Sequence, residues 1–364
     1  MAADLQAIVI VGGARDFHAM DWYRAVRRVC PDREVIFVTD LFGGEGYTDL
    51  SRPGDKIYSL IVIDKFLFPG QSRNANLWRN FVKLVLLPLQ AAKLRRILDK
   101  FPRRIVHAHP MYYMALSLMA GVEYVGTPQG DEILVRPHRS RIYKYFSAKV
   151  LRGAKAVIVD SSQMKDGVKA IAGIDAHVFQ NGINVDEIVQ HHTLNKRERV
   201  VSIRGMEDLY RIAEIVEVRN KTAKSTPLSF IYPFADTAYL SGLRLLLGGQ
   251  DDDLGRLQKQ AMYSLLCESL LVLSIPRSDS SPRSVYESIF AGACVAVTYN
   301  TWIDVLPPCM RSRIFVVDLA DNQWLNRAIS YARKIAETPF VASEDALELY
   351  DENRSIGKVI EKFY

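Results

Sequence analysis

Nowhere in this chain of 364 residues does an apolar run reach the ~18 residues that a membrane-spanning helix needs. The N-terminal run, Ala7 to Val11, is also too short for the core of a signal peptide. The expectation is a cytoplasmic protein. Cysteine is scarce: Cys30, Cys267, Cys294 and Cys309 stand far apart, with no C-x-x-C pair and no His at ligand spacing. Neither a disulfide framework nor a zinc site has support, which fits a reducing compartment. The dinucleotide fingerprint G-x-G-x-x-G is missing. No D-x-D triplet stands in an obvious metal loop, because Asp251 to Asp253 reads as the start of a helix. Internal repeats and low-complexity tracts are absent too.

What is present is ordinary globular composition, 49% hydrophobic and 24% charged, in a chain long enough for two domains. The net charge of +6 is unevenly shared. Residues 1–185 carry 26 Lys and Arg against 17 Asp and Glu, and residues 186–364 carry 21 against 24. The basic excess belongs to the first half.

The most informative stretch is Leu270 to Thr298, LLVLSIPRSDSSPRSVYESIFAGACVAVT. Leu270–Ile275 and Cys294–Thr298 are apolar runs of strand length, the form taken by strands buried on both faces of a parallel sheet. Between them Ser281 reads as an N-cap, Pro282 as the first helical position and Gly292 as the left-handed close of a helix. Val285 and Ile289, four apart, give that helix a buried stripe. The turn before it, Arg277 to Ser281, sets hydroxyls and backbone N–H groups at the positive end of a helix dipole, a place that favours phosphate. Glu287, inside the helix, is better suited to accept hydrogen bonds from sugar hydroxyls, and Asp279 could serve a second sugar. The bland alternative is that Asp279 and Ser281 only cap the helix and that Glu287 is a solvated surface residue.

The acidic residue, seven others and Glu, followed by a small-residue helix end and a strand, resemble the signature of the retaining family-four glycosyltransferases of GT-B fold. Asp279 falls on the first acidic position, where the family usually has Glu, and Glu287 on the second. The resemblance implies that Asp279 contacts the transferred sugar and Glu287 the donor ribose. It also implies that the backbone around Arg283, Ser284 and Val285 holds the donor diphosphate.

Taken in order, the chain begins with a buried strand, Ala7 to Val11, the pair Gly12-Gly13, and helical spacing over Asp16 to Val29. A glycine pair there is a tight turn or a place where a ligand approaches backbone; the resemblance makes Gly12 and Gly13 donor contacts. Strands are expected at 34–38 and 57–63, with the FGGEG loop (42–46) between them. Leu77 to Lys100 reads as a helix with a kink at Pro88, in which Trp78, Phe81, Val85 and Leu89 share a face. With its Lys and Arg residues this is either a core-facing helix with a cationic side or a contact with anionic membrane. Strands at 105–108 and 124–126 lead to His107 and His109 and to Thr127-Pro128-Gln129-Gly130-Asp131. Loops at strand ends are where α/β proteins bind ligands, although a His there is commonly a core residue. In many members of the resembled family a His precedes this Gly, whereas here Gln129 hydrogen-bonds without shuttling a proton. His109, Gln129 and Asp131 are the acceptor candidates. The basic run Arg136, Arg139, Arg141, Lys144 faces either a phosphate-bearing acceptor or water.

A strand at 156–159, a cap at Asp160-Ser161-Ser162 and a turn at 181–184 follow, with a polar hinge over 185–198. The strand Val200 to Ile203 delivers Arg204, ordinarily a surface cation but beside a phosphate site a diphosphate clamp. The family usually carries a Lys five residues later; Leu209 stands there, and Tyr210 or Arg211 is the candidate substitute. Helices are expected at 237–247 and 252–269, strands at 229–233 and 314–317, and a helix at 323–337.

The fold expected is α/β, of GT-B type, with two Rossmann-like doubly wound parallel-sheet domains facing each other across a cleft. Residues 1–185 form the acceptor-binding domain, 186–345 the nucleotide-sugar domain, and 346–364 a helical tail returning toward the first. The resemblance implies a retaining, metal-independent glycosyltransferase that moves a sugar from a nucleotide diphosphate sugar to a saccharide or lipid-linked acceptor, in cell-surface polysaccharide or glycoconjugate biosynthesis. Its cofactors are none beyond the donor substrate, and its partners are donor, acceptor and an anionic membrane surface. A catalytically silent nucleotide-sugar-binding or partner-binding member is the alternative. A nucleic-acid binder would explain the basic half but lacks aromatic stacking motifs.

Overall fold

The structure, a computed structural model, describes residues 6–14, 16–40, 53–61, 73–180, 182–193, 197–222, 226–279 and 281–364, with backbone alone at 17, 73–77 and 80. The FGGEG loop, residues 62–63 of the strand expected at 57–63, Asn181 of the expected turn, residues 194–196 of the expected hinge and Ser280 lie outside the described residues.

The chain divides into two compact units, Met1–Gln180 with Ser355–Tyr364, and Asn181–Arg354. The first holds β1 (Ala7–Gly12), β2 (Val35–Thr39), β3 (Ile57–Ser59), β4 (Arg104–His109), β5 (Val125–Gly126), β6 (Ala156–Val159) and β7 (His177–Val178). They form a parallel sheet in the order β3-β2-β1-β4-β5-β6-β7. The second holds β8 (Arg199–Ser202), β9 (Leu228–Ile231), β10 (Asp252–Gly255), β11 (Ser269–Ser274), β12 (Cys294–Thr298) and β13 (Ile314–Val317). Their order is β10-β9-β8-β11-β12-β13, again all parallel.

Apolar runs make these strands because helices cover both faces of each sheet. In the first unit Val9, Val11, Ile36 and Val38 enter one core, and Ile8, Ile10, Val35 and Phe37 the core on the opposite face. The same alternation sends Val201, Val272 and Val295 to one side of the second sheet and Val200, Leu271 and Leu273 to the other. Each such side chain contributes roughly 1.5–3 kcal/mol by leaving water. Strand order reverses between β1 and β4 and between β8 and β11, so each sheet has a switch point beyond the carboxyl ends of those strands, where α/β sheets hold ligands.

Three expectations need correction. Residues 252–255 are the edge strand β10, and the helix begins only at Lys259. Its carboxylates suit an edge: Asp252 meets Arg199 at 3.4 Å and Asp253 meets Arg244 at 2.7 Å. The helix after β11 runs over Arg283–Phe290 with Pro282, not Ser281, at the N-cap, although Gly292 does take the left-handed φ of +91°. The stretch read as a polar hinge begins with a helix, Val185–Val189, capped by Asn184. His192, in that same stretch, bonds the Phe290 carbonyl.

Candidate functional site

At the switch point of the second sheet the ends of β8, β11 and β12 surround a cavity of about 60 Å³. Arg204, just past β8, donates from Nε to Ser274 Oγ at 2.7 Å and from Nη2 to the Asp279 carboxylate. Asn300, past β12, holds the Asp279 carbonyl at 2.8 Å. Ser274, Asp279 and Asn300 thus fix a guanidinium that lines the cavity and whose Nη1 makes no hydrogen bond among the described residues. Arg277 lines the same cavity, with Nη2 on Asp208 at 3.3 Å and on Glu214 at 3.5 Å. Two forked cations at a strand switch point suit a bidentate anion such as a diphosphate.

The structure does not bring every expected residue here. Glu287 is buried and does not line the cavity; its Oε1 accepts from Tyr263 OH at 3.0 Å and lies 3.7 Å from Arg283 Nε. Arg283 in turn reaches Glu352 at 3.5 Å. Glu287 is therefore not the solvated surface residue of the bland alternative, and among the described residues its Oε2 makes no hydrogen bond. Among the three amides expected to hold phosphate, Arg283 N–H donates to Ser281 O and Val285 N–H to Pro282 O, and the Val285 side chain is buried. Among the described residues Ser284 N–H has no such local bond. Arg211 turns away: in a left-handed conformation, φ +54°, it sits 3.8 Å from Glu214. Leu209 is 40% exposed, so no cation stands at that position.

In the first unit, register pairs Gly12 with His109 across β1 and β4. A Cβ on Gly12 would lie 3.0 Å from the His109 carbonyl oxygen, which is why glycine ends β1. Gly13 lies beside Tyr113, whose hydroxyl donates to the buried Asp40 past β2. Lys83 Nζ meets Asp40 at 3.3 Å. Gln129 donates to Asp16 at 2.9 Å, bridging the ends of β5 and β1. His109 is buried, its Nδ1 has no partner, and burial pulls its pKa down to about 4, so the ring is neutral at pH 7. His107 points into the core instead, bonded to Thr127 at 2.7 Å and to Tyr364. Gly12, Gly13, His109 and Gln129 therefore gather at this switch point. Asp131 does not join them; it pairs with Arg136 at 2.6 Å on the surface.

Ser274, Asn300, Tyr263, Glu352, Asp40 and Tyr113 were not singled out by sequence. Ser274 and Asp40 carried a signal, a polar residue closing an apolar strand, whereas Tyr263 and Glu352 sit in helices distant in the chain. Among the described residues no three His, Cys, Asp or Glu side chains converge as a metal site. A larger cavity of about 270 Å³, lined by Arg104, Glu123 and Lys155, lies at the opposite, amino ends of β4 and β5. No strand there delivers a loop to it.

The model of glycosyltransferase family 4 matches residues 64–187. HepE of Anabaena, solved with UDP, shares the fold with a TM-score of 0.71 at 14% identity, covering 98% of this chain and 100% of HepE. Sucrose-phosphate synthase from Thermosynechococcus elongatus gives 0.70 at 13% identity, covering 98% and 99%. A glycosyltransferase from Rickettsia africae gives 0.67 at 15%, covering 99% and 98%. No curated protein sequence matches the chain. The described residues have the GT-B fold, and residues 64–187 match the glycosyltransferase family 4 model, in agreement with the family resemblance read from the sequence.

Proposed function

We propose that the protein is a retaining glycosyltransferase whose second unit binds a nucleotide diphosphate sugar and whose first unit binds the acceptor. The observation that carries this reading is the guanidinium of Arg204, fixed by Ser274 and Asp279 at the switch point with Nη1 left over for a ligand. HepE, of like fold, has been solved with UDP and with UDP-glucose, which makes a uridine donor the first to try. Arg204 and Arg277 meet the negative charge that grows on the departing diphosphate, and Arg277 supplies the second cation that Leu209 does not. Such preorganised charge is worth roughly 3–4 kcal/mol per donor in comparable sites. With these cations in place the reading assigns no metal to the reaction. Asp279 orients Arg204 and offers its other oxygen to the transferred sugar, while Glu287 Oε2 accepts from the ribose hydroxyls. The neutral His109 and Gln129, beside Gly12 and Gly13, hold an acceptor hydroxyl without carrying charge. The acceptor is a saccharide or a lipid-linked saccharide of a cell-surface polysaccharide or glycoconjugate. Four free thiols suit a cytoplasmic enzyme.

A thermal-shift screen over UDP-, GDP-, ADP- and CMP-sugars identifies the donor. With that donor, Arg204→Ala and Glu287→Ala each lower affinity about tenfold or more in titration calorimetry. Unchanged affinity in both variants would reject the assignment. A second reading, a catalytically silent binder of nucleotide sugars, is favoured by the empty cation position at Leu209 and by Gln129. It expects the same donor affinity with neither transfer nor hydrolysis above background.

A further inference from the structure

Helices that cover a sheet normally turn polar side chains outward. Two helices of the first unit turn large apolar side chains outward as well. In Arg73–Leu98, Val82, Leu87, Leu94 and Ile97 face the core, yet Trp78, Phe81, Leu84, Val85 and Leu89 on the other side are 40% to 68% exposed. The Trp78 and Phe81 rings stack with centroids 5.7 Å apart. In Arg141–Arg152, Ala148, Val150 and Leu151 face inward, while Ile142 is 85% and Tyr145 76% exposed, with Phe146 beside them. The sequence showed the first of these faces; the second was hidden in what read as a basic run.

The two faces lie in one layer at one level. Both helices pack against Met111–Met119, which sits between them. Each is a crossover into the next parallel strand and so runs against the strand direction, which sets its N-terminal half near the carboxyl ends of the sheet. Lys83 at Asp40, just past β2, marks that level in the first helix. Charge sets these helices apart as well. Neither contains an Asp or a Glu. Arg79, Arg139, Arg141, Lys144 and Lys149 are exposed and form no ion pair among the described residues.

We propose that this two-helix face docks on an anionic lipid surface. Its aromatic and aliphatic side chains enter the boundary between headgroups and acyl chains, and the unpaired cations meet lipid phosphates. No described helix is long and apolar enough to cross a membrane, so the contact lies on the surface. A second copy of the chain is the poorer occupant, because a two-fold pairing of this face would set its own cations against one another. The inference does not rest on the donor site.

The test uses the full chain with vesicles of phosphatidylcholine alone and with phosphatidylglycerol added. The parent co-sediments with the anionic vesicles, and added salt weakens the binding. Trp22, Trp302 and Trp324 are buried, so a blue shift in tryptophan emission on binding reports Trp78, and Trp78→Phe removes the shift. The pairs Phe81→Ser with Val85→Ser and Ile142→Ser with Tyr145→Ser each lower the partition coefficient by about tenfold or more. Melting temperatures check that these exposed substitutions leave the fold intact. Arg204→Ala binds vesicles like the parent, which separates this inference from the donor reading. Binding equal to the parent in both double variants, no partition of the parent, or a dimer that the substitutions dissociate would each overturn the proposal.

Discussion

Glu132 is a buried carboxylate whose Oε2 accepts from the N–H groups of Met111 and Gln129, each at 3.0 Å. It thereby ties the loop after β4 to the loop after β5. Burial outweighs those two bonds and raises its pKa from the ordinary 4.5 to about 7. The folded state therefore binds more protons than the unfolded chain between those values. The contribution of Glu132 is fully present below pH 4.5 and is lost as pH rises through 7. His109 works in the opposite sense: its folded pKa of about 4 lies below the ordinary 6.5, so its contribution is lost as pH falls between the two. Glu132→Gln keeps an acceptor for both amides but removes the titration. It should gain up to about 3 kcal/mol over the parent at pH 8 and under about 1 kcal/mol at pH 5. Urea unfolding at the two pH values measures this, and an equal loss at both would refute it.

At the scale of elements, the helix that carries Glu287 ends on Gly292. With φ at +91°, a side chain there is strained, and a Cβ would lie 2.6 Å from Arg197 Nη2, which donates to the Ala291 carbonyl. Gly292→Ala should cost about 1–2 kcal/mol, read as a lower denaturation midpoint with unchanged slope. That glycine was legible in the sequence, as were β1, β6, β12 and β13, because strands buried on both faces leave unbroken apolar runs. The edge strand β10 was not: its carboxylates are held by Arg199 and Arg244 from other elements, partners that no local pattern displays. The site divides in the same way. Arg204 and Asp279 could be named from the residues around each strand end, yet their pairing across 75 positions depends on the order β8-β11. Glu287 could be named too, with Arg283 one turn before it on the same helix, but not Tyr263 as its neighbour, since burial within the unit decides that contact.

At the scale of the whole molecule, the proposed function divides one task between two sheets of the same kind, and that division has a measurable consequence. The residues assigned to diphosphate and ribose, Arg204, Arg277 and Glu287, all belong to the unit Asn181–Arg354. A nucleoside diphosphate without its sugar has nothing to offer the acceptor side, so its binding energy enters the second unit alone. At a concentration near a hundred times its dissociation constant it adds about 2.7 kcal/mol to the stability of what it binds. Hydrogen exchange should then slow by up to about a hundredfold at amides of that unit that exchange only through its unfolding. The carboxyl ends of β8, β11 and β12 should show the earliest protection. Amides of β1, β4 and β5 should exchange at their former rates. Protection spread evenly over both sheets would mean that the nucleotide's contacts are not those assigned here, and Arg204→Ala, with its affinity about tenfold lower, should cut the slowing in the second unit to about tenfold at the same concentration.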